Sequence, residues 1–151
     1  MIRKAALADI KAIHRLIAEQ AGGGHILARP LSELYGQVRD FLVFEDEATG
    51  EVVGCGALQV VWEDLAEIRS LAVRETSQEK GIGSRLAEAL LAEACELGIK
   101  QVFVLTYRVS FFERLDFSQM DKGQLPHKIW ADCIRCTKFP ECDETALVKT
   151  P

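Results

Sequence analysis

The chain has 151 residues, of which 48% are hydrophobic and 27% charged, and its formal net charge is −5. This length is usual for one domain with its own core, so we expect a single domain over residues 1–151. An acidic balance argues against nucleic acid as a partner, because proteins that bind it are usually basic. No apolar stretch reaches the roughly 20 residues of a membrane span, and the N-terminus has no apolar secretory core. We therefore expect a cytoplasmic protein that binds neither nucleic acid nor membrane.

The first half of the chain predicts a strand, two helices and a hairpin. The N-terminal residues suit a short strand, and the apolar spacing that follows predicts a helix capped by Asp9. Residues 21–30 are rich in glycine and predict a loop. A second, shorter helix should follow, capped by Ser32. Two apolar runs around a turn at Thr49 and Gly50 then predict an antiparallel hairpin.

The second half predicts a strand, a long helix and another strand in succession. The strand over residues 66–74 has an apolar middle, and Ile82, Leu86 and Leu90 recur on one helical face that ends near Gly98. Such a crossover pairs its two strands in parallel, whereas the preceding hairpin is antiparallel. A short helix and further strands complete the chain. The sequence therefore predicts an α/β fold with a mixed sheet and helices on both faces.

Two glycines, Gly81 and Gly83, stand one residue apart where the strand gives way to the long helix. Glycine inside a helix costs about 1 kcal/mol relative to alanine, so this junction needs bare backbone. A glycine-rich turn at a helix N-terminus presents N–H groups to anions, and missing Cβ atoms let a phosphate approach. The spacing matches neither the triphosphate loop nor the dinucleotide motif, whose third glycine is replaced here by Leu86. From these residues alone, a plain turn is an equally good interpretation.

In its context the glycine segment is similar to a known signature. The run AEIRSLAV, about five polar residues, Q-x-x-G-x-G and an amphipathic helix resemble the acyl-CoA signature of the GNAT acetyltransferase superfamily. The segment FFERLDF resembles that family's YEKLGF, and the resemblance covers nearly the whole chain. It implies the GNAT fold, with a mostly antiparallel sheet around the parallel unit, and acetyl-CoA as the co-substrate.

The resemblance implies that acetyl-CoA binds two segments. The glycine loop would hold the diphosphate through backbone amides, and the strand residues Leu71 and Val73 would hold the pantetheine arm by main-chain hydrogen bonds. A backbone N–H near them would stabilise the oxyanion. The predicted cofactor-binding residues are Leu71, Ala72, Val73, Gln78, Glu79, Lys80, Gly81, Ile82, Gly83 and Ser84.

Acetyl transfer to an amine requires a base for the ammonium proton and a proton for the leaving thiolate. Glu67 is the candidate base, since many GNAT enzymes carry theirs at this strand position; a solvent-facing glutamate is the alternative. Its apolar strand should raise its pKa. Phe112 stands where many family members have a tyrosine that can act as the general acid. Tyr107 is therefore the candidate acid, with Thr106 and Ser110 as substitutes, unless the thiolate leaves without a dedicated acid.

Longer segments resemble a narrower group. VVGCGALQVVWEDLAEIRSLAV and the C-terminal DKGQLPHKIWADCIRCTKFPECDETAL are similar to short bacterial amino-acid N-acetyltransferases of the N-acetylglutamate synthase type. This resemblance implies acetylation of the α-amine of L-glutamate, the first step of arginine biosynthesis. Two carboxylates on the acceptor require cations, preferably arginine. Arg69 is the first candidate because it shares a strand face with Glu67, and Lys128 and Arg29 are next; each is equally well a surface charge.

Other interpretations stay open at this point. The acceptor is alternatively glutamine, aspartate, another small amine or a protein N-terminus, or the chain is a non-catalytic acetyl-CoA-binding module. Pairing into a homodimer is expected by analogy with other domains of this type. In the fused synthases, arginine feedback would be sought in a kinase-like domain that this sequence does not show. We therefore expect the domain to be insensitive to arginine, or to respond through a local site or a partner.

The five cysteines are an odd number, which favours reduced thiols over a disulfide framework. Cys133, Cys136 and Cys142, with His127 upstream, are a possible zinc ligand set. The spacing of the third cysteine does not suit a zinc ribbon, and no second C-x2-C follows. We therefore expect no metal site, and reduced thiols in a packed tail.

Overall fold

The computed structural model describes residues 1–22, 28–124 and 144–151. Within these ranges the strands join in one sheet of order β1-β2-β3-β4-β5-β7-β6. The strands are β1 (Ile2–Lys4), β2 (Phe41–Glu45), β3 (Val52–Trp62), β4 (Leu65–Val73), β5 (Gln101–Thr106), β6 (Ser118–Met120) and β7 (Thr145–Lys149). The α-helices are α1 (Ile10–Gly22), α2 (Leu31–Gly36), α3 (Ile82–Leu97) and α4 (Val109–Glu113).

The pairing of the strands confirms the predicted mixed sheet. Strands β4 and β5 are parallel and are connected through α3, as a strand–helix–strand crossover requires. The other neighbouring strands of the described sheet run antiparallel. The result is the predicted mostly antiparallel sheet around one parallel unit.

Two hydrophobic clusters cover the two faces of this sheet. Helix α3 packs Leu86 and Leu90 against one face, where Leu58 and Ile68 are buried. Helices α1 and α2 cover the other face with a second cluster. That cluster contains Ile10, Ile13, Leu16, Ile17, Leu34, Phe41, Val43, Cys55, Ala57 and Ala72. Helices therefore lie on both faces, as the sequence predicts.

Strand β4 contains a bulge that changes which face its side chains cover. The pairing with β3 shifts between Cys55↔Ala72 and Ala57↔Arg69, and Ser70 has a φ of +56°. An extra residue in one strand reverses the alternation of faces. Accordingly Ile68 packs on the α3 face, whereas Ala72 packs on the face covered by α1.

The parallel pairing of β4 with β5 is short. It extends only from Leu65↔Gln101 to Glu67↔Phe103. Beyond Glu67 the two strands separate, and within the described ranges the edge of β4 that faces β5 has no strand partner there. A wedge-shaped cleft results between the two strands.

The predicted caps of the first two helices are wrong. Helix α2 begins at Leu31 with Pro30 as its N-cap, so Ser32 lies inside the helix. Asp9 belongs to a 3-10 turn that runs directly into α1, where Leu7 O accepts from the N–H of Ile10. The Asp9 carboxylate accepts instead from the N–H of Ala6 and from Arg3. A turn that already supplies main-chain acceptors removes the need for a side-chain cap.

The helices that the structure describes include none with the length and apolar character needed to cross a bilayer.

Candidate active site

The cleft between β4 and β5 holds a cavity of about 420 Å³. Its walls come from the separated ends of the two strands, the loop that leads into α3, the first turn of α3, and α4. Arg69, Arg108, Arg114 and Glu79 are the charged residues that line it in the described part of the chain. With three cations and one carboxylate, the lining favours an anionic ligand.

The structure brings most of the predicted cofactor-binding residues to this cavity. Ala72 is the first exception, because the bulge turns it into the buried cluster beneath α1, where it is 2% exposed. Lys80 is exposed and does not line the cavity. The predicted residues that do line it are Leu71, Val73, Gln78, Glu79, Gly81, Ile82, Gly83 and Ser84.

The separated edge of β4 offers main-chain groups to the cleft. The N–H of Arg74 donates to Val53 O of β3 at 2.7 Å, so the main chain of that residue points away from the cleft. Because main-chain groups alternate between the two edges of a strand, those of Leu71 and Val73 point into it. The Val73 carbonyl already accepts from the side chains of Gln20 at 3.2 Å and Gln78 at 3.1 Å.

Gly81 and Gly83 stand at their positions in the loop for different structural reasons. Gly81 is the N-cap of α3 and adopts the left-handed conformation, with φ 77° and ψ 9°, which L-residues rarely adopt. A Cβ added to Gly83 would lie 3.4 Å from the ring of Phe111, which covers this point. Among the described residues, no side chain caps the N-terminus of α3. The first N–H groups of α3 and the positive end of its dipole therefore face the cavity.

Glu67 and Arg69 form a buried pair on the α1 face of β4. Glu67 is 8% exposed, which excludes the solvent-facing alternative. The Nε atom of Arg69 lies 3.8 Å from Oε1 of Glu67, and the Arg69 guanidinium donates to the side-chain oxygen of Gln59 on β3. Arg69 also lines the cavity. Glu67 does not itself line the cavity; it is connected to the inner end of the cleft, where the two strands part, through its pairing with Arg69.

The remaining predicted residues lie elsewhere or beyond the described ranges. Arg29 forms an ion pair of 3.2 Å with Glu33, one helical turn away. Tyr107 directly follows β5 and is half-buried; its neighbours Thr106 and Arg108 line the cavity, and Tyr107 does not. Lys128 lies outside the described residues, as do His127, Cys133, Cys136 and Cys142. The role of Tyr107 as the acid stays a prediction.

Gln20 and Arg108 line the cavity as well, although the sequence analysis assigns neither of them a role. Gln20 is 7% exposed and follows Ile10, Ile13 and Ile17 on the buried stripe of α1. A polar residue at an apolar position of a helix is a readable signal, since buried polar groups need partners. Arg108 offers no comparable signal, because it lies in a short connection without periodicity.

The chain is similar to several known proteins. Residues 11–117 match the model described as the acetyltransferase (GNAT) family. An uncharacterized N-acetyltransferase of Chlorobaculum tepidum is 44% identical over 149 residues, which cover 99% of this chain and 95% of that protein. An amino-acid acetyltransferase of Mycobacterium tuberculosis is 37% identical over 136 residues, which cover 89% of this chain and 78% of that protein.

A solved structure is similar as well. N-acetylglutamate synthase from Neisseria gonorrhoeae, complexed with coenzyme A and N-acetyl-glutamate, superimposes with a TM-score of 0.87 at 27% identity. The similarity covers 99% of this chain and 34% of that one. The present chain thus corresponds to about one third of that synthase.

Proposed function

The chain belongs to the GNAT family of acetyltransferases, and from this premise we propose that it transfers the acetyl group of acetyl-CoA to the α-amine of L-glutamate. The observation that carries the proposal is the cleft itself, which connects the glycine loop at one end with Arg69 at the other, and Arg69 is paired with the buried Glu67. The amino-acid acetyltransferase of M. tuberculosis and the gonococcal synthase support the substrate class.

The donor half of the cleft suits acetyl-CoA. The N-terminus of α3 and the loop around Gly81 present N–H groups to the diphosphate. The pantetheine arm lies along the separated edge of β4 and bonds to the main chain of Leu71 and to the Val73 N–H. Because the Val73 carbonyl already has two side-chain donors, it contributes less to this binding.

The residues at the inner end suit the chemistry of the transfer. Glu67 accepts a proton from the ammonium group, directly or through water, and the amine nitrogen attacks the thioester carbonyl carbon. A backbone N–H of β4 near Leu71 stabilises the oxyanion. The C–S bond then breaks, the acetyl group stays on the nitrogen, and the coenzyme thiolate receives a proton from Tyr107 or from solvent.

The acceptor half of the cleft suits a carboxylate beside an amine. Arg69 offers a guanidinium, and its Nε atom lies 3.8 Å from the Glu67 carboxylate. One small amino acid can therefore place a carboxylate on Arg69 and its α-amine on Glu67. We expect Lys128 and Arg29 to contribute further cations. N-acetyl-L-glutamate as product places the reaction at the start of arginine biosynthesis, in the cytoplasm.

A steady-state assay of released coenzyme A tests the proposal. Saturable turnover with L-glutamate should exceed that with L-aspartate and L-glutamine at equal concentration. Glu67→Gln should lower kcat by about 10²- to 10⁴-fold, the usual range for a general base, and leave coenzyme A binding unchanged. Glu63→Gln, an exposed glutamate in the turn before β4, is the matched control and should keep full activity. Equal rates with the three acceptors would refute the glutamate assignment, and an active Glu67→Gln variant would refute the base.

A further inference from the structure

We propose that Arg108 is a ligand of the coenzyme A diphosphate and that Gln20 is the residue that positions it. The proposal rests on the use of acetyl-CoA argued above. It adds to the glycine loop a charged partner from the opposite wall of the cleft.

Arg108 is held at the cavity by two hydrogen bonds. Its backbone N–H donates to Oγ1 of Thr106 at 2.8 Å, which fixes the turn after β5. Its guanidinium Nη2 donates to Oε1 of Gln20 at 3.2 Å. Arg108 and Gln20 both line the cavity, and Arg108 is exposed there. The guanidinium keeps further N–H donors for a ligand.

Gln20 connects the two walls of the cleft. Its side-chain nitrogen donates to the Val73 carbonyl at the end of β4, while its oxygen accepts from Arg108 beyond the end of β5. Because both ends of the carboxamide are engaged, its orientation is determined, and it is 7% exposed. A buried amide held at both ends positions the guanidinium that it contacts.

In the described part of the chain, no neighbouring carboxylate compensates the charge of Arg108. Among the described residues, Arg108 forms no ion pair within 4.0 Å, whereas Arg69 has the Glu67 carboxylate at 3.8 Å. An arginine in a cleft without a carboxylate partner favours an anionic ligand, and its planar donors suit phosphate oxygens.

The position of Arg108 along the cleft favours the diphosphate over the acceptor carboxylates. The carboxamide of Gln20 connects Arg108 to the carbonyl of Val73. Gln78, the first residue of the glycine loop, donates to that same carbonyl. Val73 lies six residues beyond Glu67, which is at most about 20 Å along the bulged strand. A small amino acid held at Glu67 does not span that distance, whereas Gln78 of the glycine loop shares the Val73 carbonyl with Gln20, the hydrogen-bond partner of Arg108.

Calorimetric titration with coenzyme A and with 3′-dephospho-coenzyme A tests the proposal. Arg108→Gln should weaken binding of both by about 10- to 100-fold, as for one lost charge-assisted hydrogen-bond pair. The loss should shrink with added salt, since ions screen the charge. Arg15→Gln, which removes an exposed charge from α1, is the matched control and should bind like the native protein.

The positioning role of Gln20 requires variants that separate it from a purely structural role. Gln20→Leu should weaken coenzyme binding in the native chain and have little further effect when Arg108→Gln is already present, because interacting residues are not additive. Gln20→Glu should weaken binding more than Gln20→Leu, because its carboxylate neutralises Arg108. Additive losses in the double variant would overturn the positioning role.

The outcomes distinguish this proposal from the proposed function. If the native protein does not bind coenzyme A, both fail. If it binds coenzyme A and Arg108→Gln binds equally well, only the role of Arg108 fails. If Arg108→Gln weakens the binding of coenzyme A but not that of 3′-dephospho-coenzyme A, Arg108 binds the 3′-phosphate and the assignment to the diphosphate is overturned. If Arg108→Gln raises the KM for the amino acid and leaves the affinity for coenzyme A unchanged, Arg108 binds the acceptor and the assignment to the diphosphate is likewise overturned.

Discussion

Replacing Gly81 by alanine should destabilise the protein, whereas the same replacement of Gly83 should not. Gly81 has a φ of +77°, and a Cβ added there meets no atom within 4 Å, so the whole cost is conformational. An L-residue in the left-handed region costs about 1–2 kcal/mol. For a chain of this length the melting temperature should fall by about 2–8 °C.

Gly83 differs because its conformation is helical and its neighbour is a ring. The added Cβ would lie 3.4 Å from Cζ of Phe111, at the limit of ordinary contact. Alanine gains up to about 1 kcal/mol over glycine within a helix, which offsets this crowding. The stability of Gly83→Ala should therefore stay within about 1 kcal/mol of the native value.

Glu79 provides the opposite control in the same loop. It is not a glycine, yet its φ is +67°, so Glu79→Gly should relieve strain. Added flexibility of the unfolded chain offsets part of this gain. Thermal unfolding followed by circular dichroism ranks the three variants. A Gly81→Ala protein as stable as Gly83→Ala would refute the reasoning, because the left-handed geometry would then impose no constraint.

Three further predictions concern single side chains. Arg69→Ala should raise the KM for L-glutamate at least about tenfold, as for one lost charged hydrogen bond, without weakening coenzyme binding; an unchanged KM would exclude Arg69 from the acceptor site. Asp9→Asn should lower the free energy of unfolding by about 1.5–3 kcal/mol at neutral pH, because Arg3 donates to the carboxylate at 2.7 and 3.0 Å. The Arg3 hydrogen bond lowers the pKa of Asp9, so this stabilisation is present above the ordinary carboxyl pKa and is lost as the pH falls through the lowered one. Urea unfolding of both proteins should therefore converge in acid, and a constant difference would contradict the mechanism. Burial raises the pKa of the Cys55 thiol to about 12, so iodoacetamide should modify exposed Cys95 in the native protein and Cys55 only after unfolding, as peptide mapping would show.

The sequence predicts the order of elements because their signals are local. The apolar stripe of α3 and its end at Gly98 follow from helical periodicity and from a left-handed terminal glycine, which the structure shows with φ 83°. The glycine loop is readable for the same reason, since Gly81 needs a conformation that few residues adopt.

The features that shape the site were not readable, because they depend on contacts distant in the sequence. The bulge at Ser70 has a positive φ at a residue that is not glycine, and no local pattern marks it. Gln20 is 53 residues from Val73 and 88 from Arg108, so only the folded chain brings the three together. The residue type of Ser32 predicts a helix cap, although Pro30 occupies that position.

In the proposed function, the bulge lets one strand serve two ligands. Before it, Glu67 and Arg69 project to the α1 face, where an acceptor and its proton can be held. After it, the side chains of Leu71 and Val73 pack toward α3, and their main-chain groups face the cleft. Without the extra residue, the side chains after the bulge would exchange faces, and Ala72 would no longer pack beneath α1. In the proposed reaction, the strand separation opens the path of acetyl-CoA, and the bulge sets the proposed acceptor residues apart from that path.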